Sequence, residues 1–118
     1  MVIVLVAARY QKILEWINEH QSQHIHSIHL IKQNGPKLFL YVDTSFDYAS
    51  LIHLFHQVIR LRGGASYVYQ FYTLYNGMID YNDYLSQETK DSMKYYQSNN
   101  KDLSQQELDE FMKTFNMK

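Results

Sequence analysis

Two histidines stand one residue apart in His24-Ile25-His26. Alternate residues of an extended strand share a face, so both imidazoles would point one way, as two ligands of one divalent metal must. A second pair, His53 and His56, recurs at i, i+3 beside Gln57 and Arg60, a spacing that lets two imidazoles share a metal or a proton. His29 alternates away from His26 and does not join the first pair. Asp80 and Asp83 flank Tyr81, where acids at a helix start satisfy free amides. The absence of cysteine excludes a thiolate nucleophile, a cysteine zinc site and a disulfide framework. No phosphate loop, nucleophile elbow, dinucleotide fingerprint or zinc-finger spacing occurs in the sequence.

The elements that must hold these groups follow from periodicity. Val2 to Ala7 is β-branched and apolar on both faces, the pattern of a central strand. Tyr10, Ile13, Leu14 and Ile17 then recur at one helical face, with Lys12, Glu15 and Glu19 elsewhere. Ile25 to Gln33 reads as a strand, Asn34-Gly35-Pro36 as a turn, and Lys37 to Asp43 as the returning strand. Thr44 opens a second helix, with Asp47 as the reciprocal partner of a capping box. Its apolar face is Tyr48, Leu51, Leu54, Phe55 and Val58, and Gly63-Gly64 ends it. Arg60 and Arg62 sit in its last turn, where the helix dipole favours cations. Ser66 to Tyr75 is a fourth strand, with Tyr67, Tyr69, Phe71 and Tyr75 on one side.

That order, strand-helix-strand-strand-helix-strand, predicts an α+β fold of the ferredoxin-like βαββαβ kind. It would have a four-stranded antiparallel sheet, two helices on one face, and a body over residues 1–78. Residues 79–118 are expected to be a helical extension packing on the body or on a partner subunit. Tyr84 to Gln97 carries a sparse stripe, and Ser104 with Glu107 forms a capping box before Leu108, Phe111, Met112 and Phe115.

The sheet side away from the helices would be unusually apolar. Strands one and three are apolar on both faces, and strand four is rich in aromatics. Tyr67, Tyr69, Phe71, Tyr75, Leu108, Phe111 and Phe115 are therefore expected to form an interaction face. The tail helices, a second copy, or stacked bases are its possible covers. The net charge of -1 gives no general attraction to nucleic acid or anionic membrane. Residues 1–75 carry six Lys/Arg and four Asp/Glu, and residues 76–118 carry five and eight, so a body of +2 precedes a tail of -3. The first six residues are too short for a secretory or membrane-spanning segment, and a cytoplasmic protein without membrane contact is expected.

Three family resemblances attach to these residues. His24-Ile25-His26 is similar to the His-hydrophobe-His motif of rolling-circle replication and relaxase nucleases. That likeness implies a divalent metal at His24 and His26 and DNA attack by a tail tyrosine, for which Tyr81, Tyr84, Tyr95 and Tyr96 are the candidates. In those enzymes the motif follows the hairpin turn, whereas Lys37, Leu38 and Phe39 stand there in this chain. An apolar outer sheet resembles the dimeric α/β barrels, which implies a homodimer, or an enzyme with His53 or His56 near a cavity mouth. Tyr10-Gln11-Lys12-Ile13-Leu14, the hairpin from Ile31-Lys32-Gln33 to Leu38-Phe39-Leu40, and Leu74-Tyr75-Asn76-Gly77 resemble the C-terminal domain of MecA-type adaptors. That likeness spans residues 3–79 and implies shared topology. No acid, base and nucleophile converge in the sequence. The leading expectation is a non-catalytic interaction or regulatory module, homodimeric through the aromatic sheet face and without a cofactor. A metal-dependent DNA-nicking protein and a barrel-type enzyme are the alternatives.

Overall fold

The computed structural model describes residues 1–20, 23–75, 77–80 and 102–116. The elements run β1 (Val2–Ala7), α1 (Tyr10–Glu19), β2 (Ile25–Asn34), β3 (Lys37–Thr44), α2 (Tyr48–Gly63), a 3-10 turn (Gly64–Ser66), β4 (Tyr69–Tyr75), β5 (Met78–Asp80) and α3 (Gln105–Asn116). The fold is α+β, and its sheet has the order β2-β3-β1-β4-β5. The sheet therefore has a fifth strand where four were expected. β5 pairs antiparallel with β4 through Leu74↔Ile79 and Tyr75↔Met78. Three residues are too few to show a period of two, so the stretch gives no strand signal in the sequence. The chain divides into two compact units, Met1–Phe71 and Tyr72–Lys118, and the division falls inside β4.

In the first unit, β1 and β3 pair antiparallel with Ile3↔Leu40, Val4↔Phe39 and Leu5↔Leu38. The pleat separates these residues into two faces. Ile3, Leu5, Ala7, Leu38, Leu40 and Val42 join Ile13 and Ile17 of α1 and Leu51, Phe55 and Ile59 of α2 in one buried cluster. Val4 and Phe39 lie outside that cluster, yet they are 0% and 1% exposed within the single chain. The centre of the sheet thus leaves no apolar opening at these two positions.

The start of α2 differs from the sequence expectation. Asp47, rather than Thr44, is its N-cap: the Ser50 N–H donates to Asp47 Oδ1 at 2.8 Å. Thr44 is taken by tertiary structure instead. Its hydroxyl donates to the His24 carbonyl at 2.6 Å and accepts from the Phe46 N–H at 3.0 Å. The helix ends at Gly63, and Gly64 follows at φ 62, a conformation in which a Cβ is strained. Gly35 turns the β2–β3 hairpin at the same φ of 62. β4 begins at Tyr69, later than expected, because Gly64–Ser66 coils into the 3-10 turn, with the Ser66 hydroxyl donating to the Gly63 carbonyl at 2.9 Å.

In the second unit, the capping box at α3 is formed. The Ser104 N–H donates to Glu107 Oε1 at 3.2 Å, and the Glu107 N–H donates to Ser104 Oγ at 3.2 Å. Leu103 is buried, and its N–H donates to the Gly77 carbonyl at 2.9 Å. The Ile79 N–H donates to Asp102 Oδ2 at 2.8 Å, which ties β5 to the entrance of α3. The helix expected over Tyr84–Gln97 lies outside the described residues. Among the described residues, no helix is long and apolar enough to cross a membrane.

Candidate functional site

The first unit carries an open apolar groove on its helical layer. α2 must bury one stripe against the sheet, and Leu51, Phe55 and Ile59 at i, i+4, i+8 do so. A second stripe, Leu54, Val58 and Leu61, runs beside it and faces α1. α1 contributes Trp16, Glu19 and His20, and the two helices enclose a groove of about 300 Å³. Val58 is buried at its floor, whereas Leu61 is 85% exposed. A leucine so exposed gains nothing from the fold in which it stands.

The wall and rim of the groove are fixed by neighbouring residues. Trp16 meets Tyr67 edge-on, with ring centroids 4.8 Å apart and an interplanar angle of 67°. Arg9 lies 5.2 Å from the centre of the Tyr67 ring, a cation–π distance. Gly63 makes this contact possible. A Cβ there would lie 2.5 Å from Tyr67 Cδ2 and 2.9 Å from two Trp16 ring atoms. At the rim, Arg62 donates to Glu19 Oε2 at 2.9 Å, and both side chains are half exposed. Gln57, also in the lining, bonds His53 at 3.2 Å.

On the side of α2 nearest β4, His56 Nδ1 and the Tyr69 hydroxyl are 2.6 Å apart. His56 meets the Phe71 ring edge-on at 5.9 Å, and Phe71 packs on Phe55 at 5.7 Å. Partial burial lowers the His56 pKa below its usual 6.5, and the charges of Arg60 and His53 lower it further. Burial also raises the Tyr69 pKa above its usual 10.0, against a smaller opposing effect of Arg60.

The other sequence candidates are placed differently. His24 precedes β2, stacks on Phe46 at 4.6 Å, and shares a 3.1 Å hydrogen bond with Ser45 through Nδ1. His26 is exposed at the bulge between Ile25 and Ser27. The irregularity breaks the strict alternation that would aim both rings alike. Among the described residues, no group of three His, Asp or Glu side chains is placed to hold a metal ion. Tyr81, Tyr84, Tyr95 and Tyr96 lie outside the described residues.

Of the expected interaction face, Tyr67, Tyr69 and Phe71 contact Trp16, His56 and Phe55, so they turn toward the helices. Tyr75 closes β4. In the second unit, Leu108, Phe111 and Phe115 are half-buried on α3, and the two phenylalanine rings stack at 6.0 Å. Trp16, His20 and Leu61 are groove residues not singled out from sequence. The signal for Leu61 was the continuation of the Leu54–Val58 stripe by three more residues.

β2 ends the sheet on one side, and such an edge can pair with another chain. Its register shifts between Ile25 and Ser27 and again between Leu30 and Lys32, and both irregularities blunt the edge. The groove between α1 and α2 is thus a better-formed surface feature of the first unit than this edge. No protein-family model matches this chain, and neither a curated protein nor a solved structure matches it.

Proposed function

We propose that this chain is a protein-interaction module, and that it takes a bulky apolar side chain of a protein partner into the groove between α1 and α2. The reading treats the body as a ferredoxin-like layer with β5 added at its edge. The observation that carries it is Leu61, 85% exposed beside an apolar groove walled by Trp16, Leu54 and Val58. One exposed apolar side chain beside a hollow lined by apolar carbon, with the Glu19–Arg62 pair at its edge, matches the apolar centre and polar rim of an interface. The size supports a side chain over a metabolite. About 300 Å³ is the lower end for a small-molecule pocket but is ample for one or two anchor residues.

The aromatic strand contributes by positioning. Tyr67 holds the Trp16 wall, while Tyr69 and Phe71 brace α2 from the other side. Interaction through the helical layer thus replaces interaction through the aromatic sheet face as the better-supported route.

A nuclear magnetic resonance titration tests the proposal. The probe is an amphipathic helical peptide with leucine anchors at i, i+4 and i+7. Saturable shifts at Leu54, Val58 and Leu61, absent in Leu61→Glu, are expected. Shifts that are absent, or that persist unchanged in Leu61→Glu, overturn the groove as the docking site.

A further inference from the structure

We propose that Tyr69 is a redox-active tyrosine, which gives up one electron to an external oxidant while His56 takes its phenolic proton. The site lies on the β4 side of α2, so it is independent of the interaction reading of the groove.

The geometry is that of a preformed proton transfer. The Tyr69 hydroxyl and His56 Nδ1 are 2.6 Å apart, and the two ring centroids are 5.2 Å apart. Phe71 stands edge-on to both rings, 5.9 Å from His56 and 5.7 Å from Tyr69, so an uncharged neighbour holds the pair together. Both members are half-buried, within reach of an electron acceptor at the surface. A phenol O–H is a much stronger acid than the N–H of a neutral imidazole. The hydroxyl is therefore the donor, and Nδ1 is the acceptor with its lone pair free for the proton. His56 is neutral at pH 7, because burial first, then the charges of Arg60 and His53, lower its pKa below 6.5.

An electron is hard to take from a phenol that keeps its proton, because the cation radical so formed is a high-energy, strongly acidic species. Prior ionisation offers little help at Tyr69, whose pKa is raised above 10.0 by burial. Nδ1 removes both obstacles. The Tyr69 O–H bond breaks and the Nδ1–H bond forms as the electron leaves. The products are a neutral tyrosyl radical, a His56 imidazolium and the reduced oxidant. Re-reduction returns the proton to the phenol. The co-reactant is an outer-sphere one-electron oxidant, such as a high-potential metal complex. Tyr67 provides an internal contrast: its ring faces Trp16 and Arg9, and neither takes up a proton.

Flash oxidation of the full chain with photogenerated ruthenium(III) tris-bipyridine tests the proposal, with the tyrosyl radical followed by its absorption. A fast phase is expected at pH 7, slower in D2O, absent in Tyr69→Phe and unchanged in Tyr67→Phe. His56→Phe should slow it about a hundredfold, the lower end of what a positioned base contributes. The fast phase should also fade as pH falls through the folded pKa of His56, since a protonated Nδ1 accepts nothing. The groups that face His56 are Arg60 and His53 on α2 and Tyr69 on β4. Circular dichroism shows that each variant is folded. The D2O and pH dependence of wild type test the proton acceptor with no substitution at all.

The proposal is overturned by a wild type without a fast phase, by a fast phase that survives Tyr69→Phe, or by a folded His56→Phe that reacts as quickly as wild type. A fast phase indifferent to both D2O and pH also overturns it, because the proton would then play no part.

Discussion

His56 Nδ1 lies 2.6 Å from the Tyr69 hydroxyl, and this contact joins the middle of α2 to the first residue of β4. The Tyr69 hydroxyl donates to a neutral Nδ1 or accepts from a protonated one, so the hydrogen bond survives either state. The charge is what the site resists. Burial, Arg60 and His53 all disfavour the imidazolium.

Stability should therefore fall on mild acidification. The His56 pKa is lower in the folded chain than its ordinary 6.5, so the unfolded chain takes up the proton first. The contribution of His56 is fully present above that value and is lost as pH falls through it toward the folded pKa. Urea midpoints at pH 7 and pH 5 measure this, and His56→Phe should flatten the difference. An equal loss in His56→Phe would place the acid sensitivity elsewhere. Tyr69 acts at the other end of the scale. Its pKa is raised above 10.0, so its contribution is present below that value and declines as pH rises beyond it.

How much of this was legible in the sequence depended on the range of the interaction. Local signals were reliable. The apolar run of β1, the Asn34-Gly35 turn, the Gly63-Gly64 stop and the Ser104–Glu107 box each appear where their chemistry put them. What failed needed a partner distant in sequence. Thr44 and Asp47 are both good caps, and only the bond from Thr44 to the His24 carbonyl decides between them. Alternation divides β4 into two sides, but it cannot say which side meets the helices. Tyr67, Tyr69 and Phe71 face Trp16, His56 and Phe55, contacts that no period within the strand encodes. Leu61 was hidden for the opposite reason: an apolar residue on a helical stripe is expected to be buried, and this one is not.

Gly63→Ala should disturb the groove wall. The added methyl would lie 2.5 Å from Tyr67 and 2.9 Å from the Trp16 ring, and those two rings already lock each other edge-on. Overpacking of this kind costs about 1–3 kcal/mol, and the helix-propensity gain of alanine, at most about 1 kcal/mol, is smaller at a helix end. A net loss of stability is expected, with a changed emission from Trp16, the one tryptophan in the chain. Unchanged emission would mean that Gly63 does not set the position of the wall.

Asp47 and Thr44 have separable roles. Asp47→Ala removes the acceptor for the Ser50 N–H and should lower Tm while loosening only the first turn of α2. Thr44→Val removes the bond to the His24 carbonyl and should loosen the segment before β2 instead. Amide exchange separates the two outcomes. Asp47 adds an acid dependence, because its pKa is held below 3.8, first by the Ser50 backbone hydrogen bond. Its contribution is present above that value and lost as pH falls through the lower folded pKa. Asp47→Asn should retain the cap and lose that dependence.

The entrance of α3 allows a sharper division in the second unit. Ser104 and Glu107 satisfy each other's amides, while the adjacent Asp102 accepts from the Ile79 N–H of β5 at 2.8 Å. One short segment thus caps a helix and anchors a strand with different side chains. Ser104→Ala should cost about 1 kcal/mol of helix stability, the usual value of an N-cap. It should speed exchange at the Glu107 amide about fivefold and leave Ile79 protected. Asp102→Ala should do the reverse, freeing the Ile79 amide while the Ser104–Glu107 box persists. If either substitution releases both amides together, the cap and the strand anchor open as one cooperative unit, and the division of labour between Asp102 and Ser104 is refuted.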